Sequence, residues 1–310
     1  MNKRCIKCKK EAIIYIPYAH AAFCKEHFIE FYERRILRAL KNSGFKGERI
    51  LVGVSGGKDS MALLHVLHKL SDELNIEIAT MHIDLGIWEY SKISKKLALG
   101  LSKKLGLKTY LIDVTKELGT TIPNAVKIIR KPACSICGIV KRYLLNKKAI
   151  EEGYDYVATG HNIDDISTYA LKALFTQRVE DIIRIPEVLS PQAKDLNLAG
   201  RLRPQLFLSE RENMLYCELN GIEYTREFCP LSKGAKTLQY KKLWDPILRQ
   251  NPLAQINLLK SLYEFKKHMK IDKPKIVKCM LCGYPTASKD EICMFCKIKI
   301  KLKKKHENEP

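Results

Sequence analysis

The chain has 310 residues, 46% of them hydrophobic, which is enough to bury one large core with small satellites and excludes wholesale disorder. Its formal charge of +21, from 55 basic against 34 acidic residues, points to a polyanionic partner, nucleic acid first. Eleven cysteines, no apolar leader and no long apolar run argue against a secreted disulfide scaffold or a membrane protein, and fit metal ligation in a reducing cytoplasm.

Residues 1–30 hold Cys5-x2-Cys8, a fifteen-residue gap, then Cys24-x2-His27, the two-knuckle spacing of a structural zinc site. Four good ligands leave no coordination place for water, so a closed site is expected. Phe28, Phe31, Tyr32, Ile36, Leu37 and Leu40 follow at helical spacing and predict a linker helix in 31–48. Its aromatics are read as packing groups.

The main domain is expected over 49–235, and it opens with an apolar run ending in Val54, then Ser55, Gly56, Gly57, Lys58, Asp59 and Ser60. A strand that stops at paired glycines before a helix is a phosphate cradle: glycines can take positive φ, and the helix start points free N–H groups at an anion. Lys58 adds a mobile positive charge and the hydroxyls of Ser55 and Ser60 can donate to phosphate oxygens. Asp59 suits either Mg²⁺ or a helix cap. The spacing is not that of a Walker A loop. Ser-Gly-Gly-Lys-Asp-Ser instead resembles the PP-loop of the ATP pyrophosphatases, which split ATP between the α and β phosphates and leave AMP on a substrate oxygen.

Strands are predicted at 50–54, 76–83, 109–114 and 156–159, with helices at 60–70, 91–105, 134–152 and 162–175. This alternation predicts an α/β fold, a doubly wound parallel sheet with its ligand site beyond the carboxyl ends of the strands. His82 and Asp84 lie at one such end, His82 suited to a base or a backbone carbonyl and Asp84 to a ribose or metal. Gly160, Asp164 and Asp165 lie at another, with Asp165 as a second magnesium or pyrophosphate-side group. Cys134 and Cys137 share one face at a predicted helix start, which should lower their pKa, and Lys141 is one turn further on. Cys229 precedes Pro230. Three thiols can anchor a [4Fe–4S] cluster on three irons or form a persulfide and resolving-thiol set. A third zinc site would need Cys217 as fourth ligand, but Cys217 reads as a buried group on a helix over 210–219.

Residues 176–204 lack periodicity and read as a loop or lid, in which Arg178, Arg184, Arg201 and Arg203 either grip phosphates or form a solvated face. A helical segment is expected over 236–274, with Leu258, Leu259, Leu262 and Phe265 as its buried stripe. Cys279-x2-Cys282, ten residues, then Cys293-x2-Cys296 predicts a zinc ribbon within 275–300. A basic tail is expected over 301–310, and six lysines fall within residues 297–305, suiting contact with a phosphate backbone.

The PP-loop, the Cys134-x2-Cys137 pair, Cys229 in Phe-Cys-Pro, residues 160–165 and a zinc module at each end together resemble the tRNA 2-thiolation enzymes of the TtuA and NcsA group. The resemblance spans essentially the whole chain. It implies that ATP with Mg²⁺ adenylates O2 of a tRNA uridine, and that a sulfur nucleophile then displaces AMP without net electron transfer. It further implies a [4Fe–4S] cluster on Cys134, Cys137 and Cys229, two structural Zn²⁺ ions, catalytic roles for Lys141, Asp59 and Asp165, and a homodimer. The sulfur donor, free sulfide or a thiocarboxylated ubiquitin-like protein, and the choice between wobble and T-loop uridine stay open. The alternatives are an adenylating ligase of the same superfamily with an amine nucleophile, or a non-catalytic zinc-ribbon RNA-binding protein.

Overall fold

The protein is described from a computed structural model covering residues 4–178, 181–182, 185–268 and 275–306. An antiparallel hairpin of β1 (Ile14–Ile16) and β2 (Ala21–Phe23) leads into α1 (Lys25–Asn42). The core continues with β3 (Arg49–Gly53), α2 (Lys58–Lys69), α3 (Ser71–Leu74), β4 (Glu77–Asp84), α4 (Trp88–Lys104) and β5 (Thr109–Asp113). After α5 (Val114–Leu118) and α6 (Ile122–Ile129) come α7 (Ala133–Glu151), β6 (Tyr156–Ala158) and α8 (Ile163–Phe175). Then follow β7 (Leu189–Ser190), β8 (Gly200–Leu202), α9 (Glu210–Leu219), α10 (Lys236–Lys242), α11 (Trp244–Gln250) and α12 (Ala254–His268). A second hairpin, β9 (Val277–Lys278) with β10 (Pro285–Thr286), precedes α13 (Met294–His306).

The six-stranded sheet has the order β5-β4-β3-β6-β8-β7, all pairs parallel except β7 with β8. β3 and β6 are neighbours, and the chain winds away from them in opposite directions, which makes their carboxyl ends the switch point where an α/β sheet opens a crevice. Both faces are covered, and β3 shows it: Ile50 and Val52 enter one apolar cluster with α1, α2 and α9, while Leu51 enters another with α6, α7 and α13. On α1 the residues Phe28, Tyr32, Ile36 and Leu40, spaced by four, are fully buried. Tyr32 stacks on Tyr216 at 4.2 Å, and its hydroxyl donates to Asn213 and accepts from Gln205, so the buried oxygen is satisfied.

Three expectations are corrected. Residues 176–204 are not a loop throughout, because β7 and β8 extend the sheet; the Arg184 expectation lies outside the described residues. β8 has no β-branched run to announce it, and its Gly200 is required by packing, since a Cβ there would meet the Tyr156 ring at 2.3 Å. The helical segment is broken into α10, α11 and α12; Leu259 and Leu262 are buried, but Phe265 is exposed. The basic run is no loose tail either. It belongs to α13, whose Phe295, Ile298 and Leu302 are buried against the α6–α7 side.

Phe295 stacks on Tyr143 of α7 with ring centroids 3.8 Å apart and planes 6° from parallel, docking the C-terminal module on the catalytic domain. Cys217 is buried in the core, its thiol directed at the Lys58 carbonyl, and serves no metal site. All eleven cysteines are free, and among the described residues no helix is long and apolar enough to cross a membrane. Phe295→Ala is expected to cost about 3 kcal/mol through the cavity it leaves, read as a lower urea midpoint.

Candidate active site

A cavity of about 320 Å³ opens at the switch point, within the range of small-molecule sites. Val54, Ser55, Asp59 and Ser60 line one part, His82 and Tyr90 another, and Lys141, Gly160, His161 and Asp165 the rest. Gly56, Gly57, Lys58 and Asp84 are not among its lining residues.

The turn after β3 is built by hydroxyls and one glycine conformation. Gly56 has φ +80°, and a Cβ on it would lie 2.6 Å from the Ser94 carbonyl oxygen. Gly57, in contrast, is extended at φ −84° and is the N-cap of α2, so only one of the two glycines uses the left-handed region. Ser60 Oγ donates to the Gly57 carbonyl at 3.0 Å and accepts from the Ser55 amide at 3.0 Å. The two serine hydroxyls are also 3.0 Å apart. Thr225 donates its N–H to the Gly56 carbonyl at 2.9 Å, tying the turn to the segment that leads to Cys229.

Asp59 is the most connected of the predicted residues. Its Oδ1 accepts from Asn162 Nδ2 at 3.0 Å and Asn213 Nδ2 at 2.8 Å, and its Oδ2 faces Lys58 Nζ at 3.3 Å. Lys58 is therefore not a free mobile charge: it also reaches Glu210 at 3.1 Å. Burial works against its ammonium, yet Asp59 and Glu210 hold the pKa above the ordinary lysine value. Glu210 continues the chain of charges to Lys241 at 2.8 Å, and Lys241 to Asp165 at 3.4 Å. Recession into the cavity raises the Asp165 carboxyl to about 6 against the pull of Lys241, with Asp59 and Glu210 adding to the rise.

Four of these partners escaped sequence reasoning. Asn162 carries a local signal, since it is the N-cap of α8 and its side chain accepts from the Asp165 N–H. α9 announces itself by the Ser209–Glu212 capping box, but not by the site roles of Glu210 and Asn213. Lys241 has no signal at all, being one lysine among many. Asp164 is structural, accepting from the Glu210 N–H and from Gln255.

His82 makes the backbone contact. Nδ1 lies 2.9 Å from the Val54 carbonyl and must donate to it; burial lowers the pKa and keeps the ring neutral, so Nε2 is an acceptor without a partner. Asp84 is turned away, accepting from the Gly86 N–H and facing Lys95 at 3.5 Å. Gly160 approaches α2 closely: a Cβ on it would sit 2.8 Å from the Asp59 carbonyl carbon and 2.9 Å from the Ser60 nitrogen.

The thiols of Cys134, Cys137 and Cys229 gather at the start of α7. Cys229 N-caps the turn Pro230–Ser232, where the Ser232 hydroxyl donates to the Cys229 carbonyl at 2.7 Å, and this turn packs on α7. Cys137 and Cys229 border the same apolar cluster. Contrary to expectation the Cys134 pKa is raised, by burial and by the two neighbouring thiols, with Lys141 opposing. Cys137 and Cys229 thus lie near enough to act on the Cys134 thiol, yet the three are not drawn together as tightly as the two zinc sets, and three thiols without an acid or histidine among them suit an iron–sulfur cluster. Lys141 and Gly138 line the cavity from this helix, and Tyr90, on the cavity wall, senses both Cys137 and Cys229.

The two zinc candidates form tighter groups. In each of the sets Cys5, Cys8, Cys24, His27 and Cys279, Cys282, Cys293, Cys296, all ligand atoms lie within 4.8 Å of one another. The Cys8–Cys24 and Cys282–Cys293 sulfurs are 3.6 and 3.7 Å apart. A tetrahedron with Zn–S bonds of 2.3 Å has an edge of about 3.8 Å, so both sets fit zinc.

A glycine turn with paired serine hydroxyls, set at the switch point of a doubly wound sheet, defines a PP-loop nucleotide-binding protein. Comparison with known proteins agrees: a PP-loop domain family matches residues 29–228, and the 2-thiouridine synthetase TtuA N-terminal LIM domain matches residues 4–29. The chain is 36% identical to the tRNA-5-methyluridine(54) 2-sulfurtransferase of Thermus thermophilus, over 95% of this chain and 90% of that one. It is likewise 36% identical to the Pyrococcus horikoshii protein of the same name, over 95% and 93%. The fold matches the U34-tRNA thiolase NcsA from Methanococcus maripaludis, solved with its [4Fe-4S] cluster, with a TM-score of 0.82 over 97% of this chain and 99% of that one at 22% identity. The chain belongs to the TtuA/NcsA family of tRNA sulfurtransferases.

Gly160→Ala is expected to push the start of α2 away at a cost of about 1.4 kcal/mol or more, seen as a melting temperature lower by a few degrees together with a loss of ATP affinity in calorimetry. Mg²⁺-dependent ATP binding should weaken as pH falls through about 6, where Asp165 takes up its proton, and Asp165→Asn should bind weakly with no such inflection. Because folding raises this pKa from 3.8, the folded chain binds the extra proton, so the group's contribution to stability falls as pH rises from 3.8 to about 6.

Proposed function

We propose that the cavity carries out 2-thiolation of a tRNA uridine by adenylation followed by sulfur transfer. The observation that carries the reading is the meeting of two chemistries in one cavity: the PP-loop and Asp165 line it, and so do Gly138 and Lys141 of the helix that begins at the thiols, where Lys141 acts on Cys134. An adenylating site alone has no need of the second.

The helix start at Gly57 and the hydroxyls of Ser55 and Ser60 receive the β and γ phosphates of ATP, while Asp165, with Asp59 beside it, holds Mg²⁺ against them. Uridine O2 attacks the α-phosphorus; the O2–P bond forms, the bond to the β-phosphate oxygen breaks, and pyrophosphate leaves. Lys141 balances the charge that builds on the α-phosphate. A [4Fe–4S] cluster on Cys134, Cys137 and Cys229 would supply an open iron able to carry sulfide. The sulfur nucleophile forms the C2–S bond, the C2–O bond breaks, and AMP departs with the electron pair, so no electron acceptor is required.

The target assigned by this reading is uridine 54 in the T-loop, after the names of the relatives at 33–36% identity. A sulfur donor (free sulfide or a thiocarboxylated ubiquitin-like protein), a homodimer and a cytoplasmic setting complete it and rest on kinship. The knuckle of 1–30 and the ribbon of 275–300 act as zinc-stiffened modules on the RNA-binding side.

Anaerobic reconstitution with iron and sulfide should give the brown absorbance of an Fe–S cluster. Cys229→Ala should abolish both the colour and thiolation of a tRNA transcript while ATP still binds. Full thiolation by that variant would refute the assignment of the thiols, and nucleoside mass spectrometry of tRNA fragments placing sulfur at the wobble position would refute the target.

A further inference from the structure

A cluster of cations borders the catalytic cavity around His161. Lys141 and Arg142 come from α7, Arg201 from β8, the strand beside β6, and Arg203 from the residue just after β8. All four act on His161, whose pKa falls to about 4 through burial and their charge. Among the described residues, none of the four has a carboxylate within the 4.0 Å of a salt bridge. Elsewhere the cations near the cavity are paired, as Lys58 and Lys241 are with Glu210. Arg178, by contrast, is spent on Asp181 at 2.8 Å.

Arg203 is also spent. It is buried and donates to the Glu187 carbonyl at 2.9 Å and to Ser190 Oγ at 3.2 Å, holding β7 against β8. Arg142 and Arg201 have no such duty. Arg142 lies back along its helix over Gly138, where a Cβ would be 3.2 Å from Nη1, and so reaches toward the turn that carries Cys137. It lines the catalytic cavity and also a second recess of about 280 Å³, which Arg201 shares with Tyr143, Thr286 and Phe295. That recess runs from the cavity to the C-terminal module. Both guanidinium groups line this one recess, Arg142 acts on Arg201, and among the described residues no carboxylate pairs with either, so an anion placed between them would offset their repulsion.

We propose that Arg142 and Arg201 jointly grip one RNA backbone phosphate at the mouth of the catalytic cavity, and so fix the nucleotide whose base enters it. The inference rests on the RNA substrate of the preceding reading. The fork of each guanidinium matches two phosphate oxygens, which a lysine does not. The recess that both arginines line holds no PP-loop residue, so the phosphates that the PP-loop receives are not its occupant. The recess further aligns the pair with the C-terminal module and α13, which bears six lysines, so that RNA lying along that module meets the arginines before the cavity.

The test measures affinity of the full chain for an unmodified tRNA transcript over a salt series, without ATP and without reconstituted iron, so that failure of sulfur transfer leaves the result unaffected. Arg142→Gln and Arg201→Gln should each weaken binding about tenfold and make the slope of log K against log salt shallower by about one. Arg142→Lys and Arg201→Lys should keep the wild-type slope while recovering only part of the affinity, a pattern that loss of folding cannot imitate. ATP affinity should be unchanged. Unchanged tRNA affinity and slope in the Gln variants, or a parallel loss of ATP affinity marking a nucleotide subsite, would overturn the proposal.

Discussion

The carboxylate of Asp59 is the constraint on which the site depends. One oxygen takes two amide donors, from Asn162 at the start of α8 and Asn213 within α9, and the other faces Lys58. Three segments far apart in sequence therefore meet on one residue of the PP-loop. A half-buried carboxylate would lose by giving up those donors, so Asp59 favours the packing of the three in this relation. Gly160 makes the arrangement possible sterically, letting the chain after β6 touch the backbone of Asp59 and Ser60.

From this anchor the charges run outward in alternating sign, Lys58 to Glu210 to Lys241 to Asp165. The result is an acid at the cavity edge whose proton affinity is raised, beside lysines already neutralised by acids. Such an arrangement can accept a divalent cation with its phosphates and does not repel it as a bare lysine cluster would. The α7 side is built oppositely. Among the described residues Lys141, Arg142 and Arg201 there have no carboxylate partner, and Cys134 feels both Cys137 and Cys229, so that side gains most from anionic RNA and from a metal centre.

The two sides are also joined mechanically. The Thr225 N–H holds the Gly56 carbonyl, and the chain reaches Cys229 four residues later. Nucleotide turn and third thiol are thus held by one short segment, which positions both against α7 without a domain boundary between them. The C-terminal module is fastened to the same helix through Phe295 on Tyr143.

Much of this was legible in the residues in order. Short-range chemistry writes itself locally: glycines before a helix, cysteines two apart, an apolar stripe every fourth residue on α1. These determined the alternating core, the phosphate turn, both zinc sets and the family. β8 was hidden because it is three residues long and defined by the room Tyr156 leaves at Gly200, and the breaks among α10, α11 and α12 were hidden for lack of a strong stripe. What only the tertiary structure decided is which charges are spoken for. Lys58 and Lys241, like Arg201 and Arg203, are alike in the sequence, and what separates them is whether folding sets a carboxylate or a carbonyl within hydrogen-bond reach, a distance that for Lys58 and Glu210 is set by segments 152 residues apart.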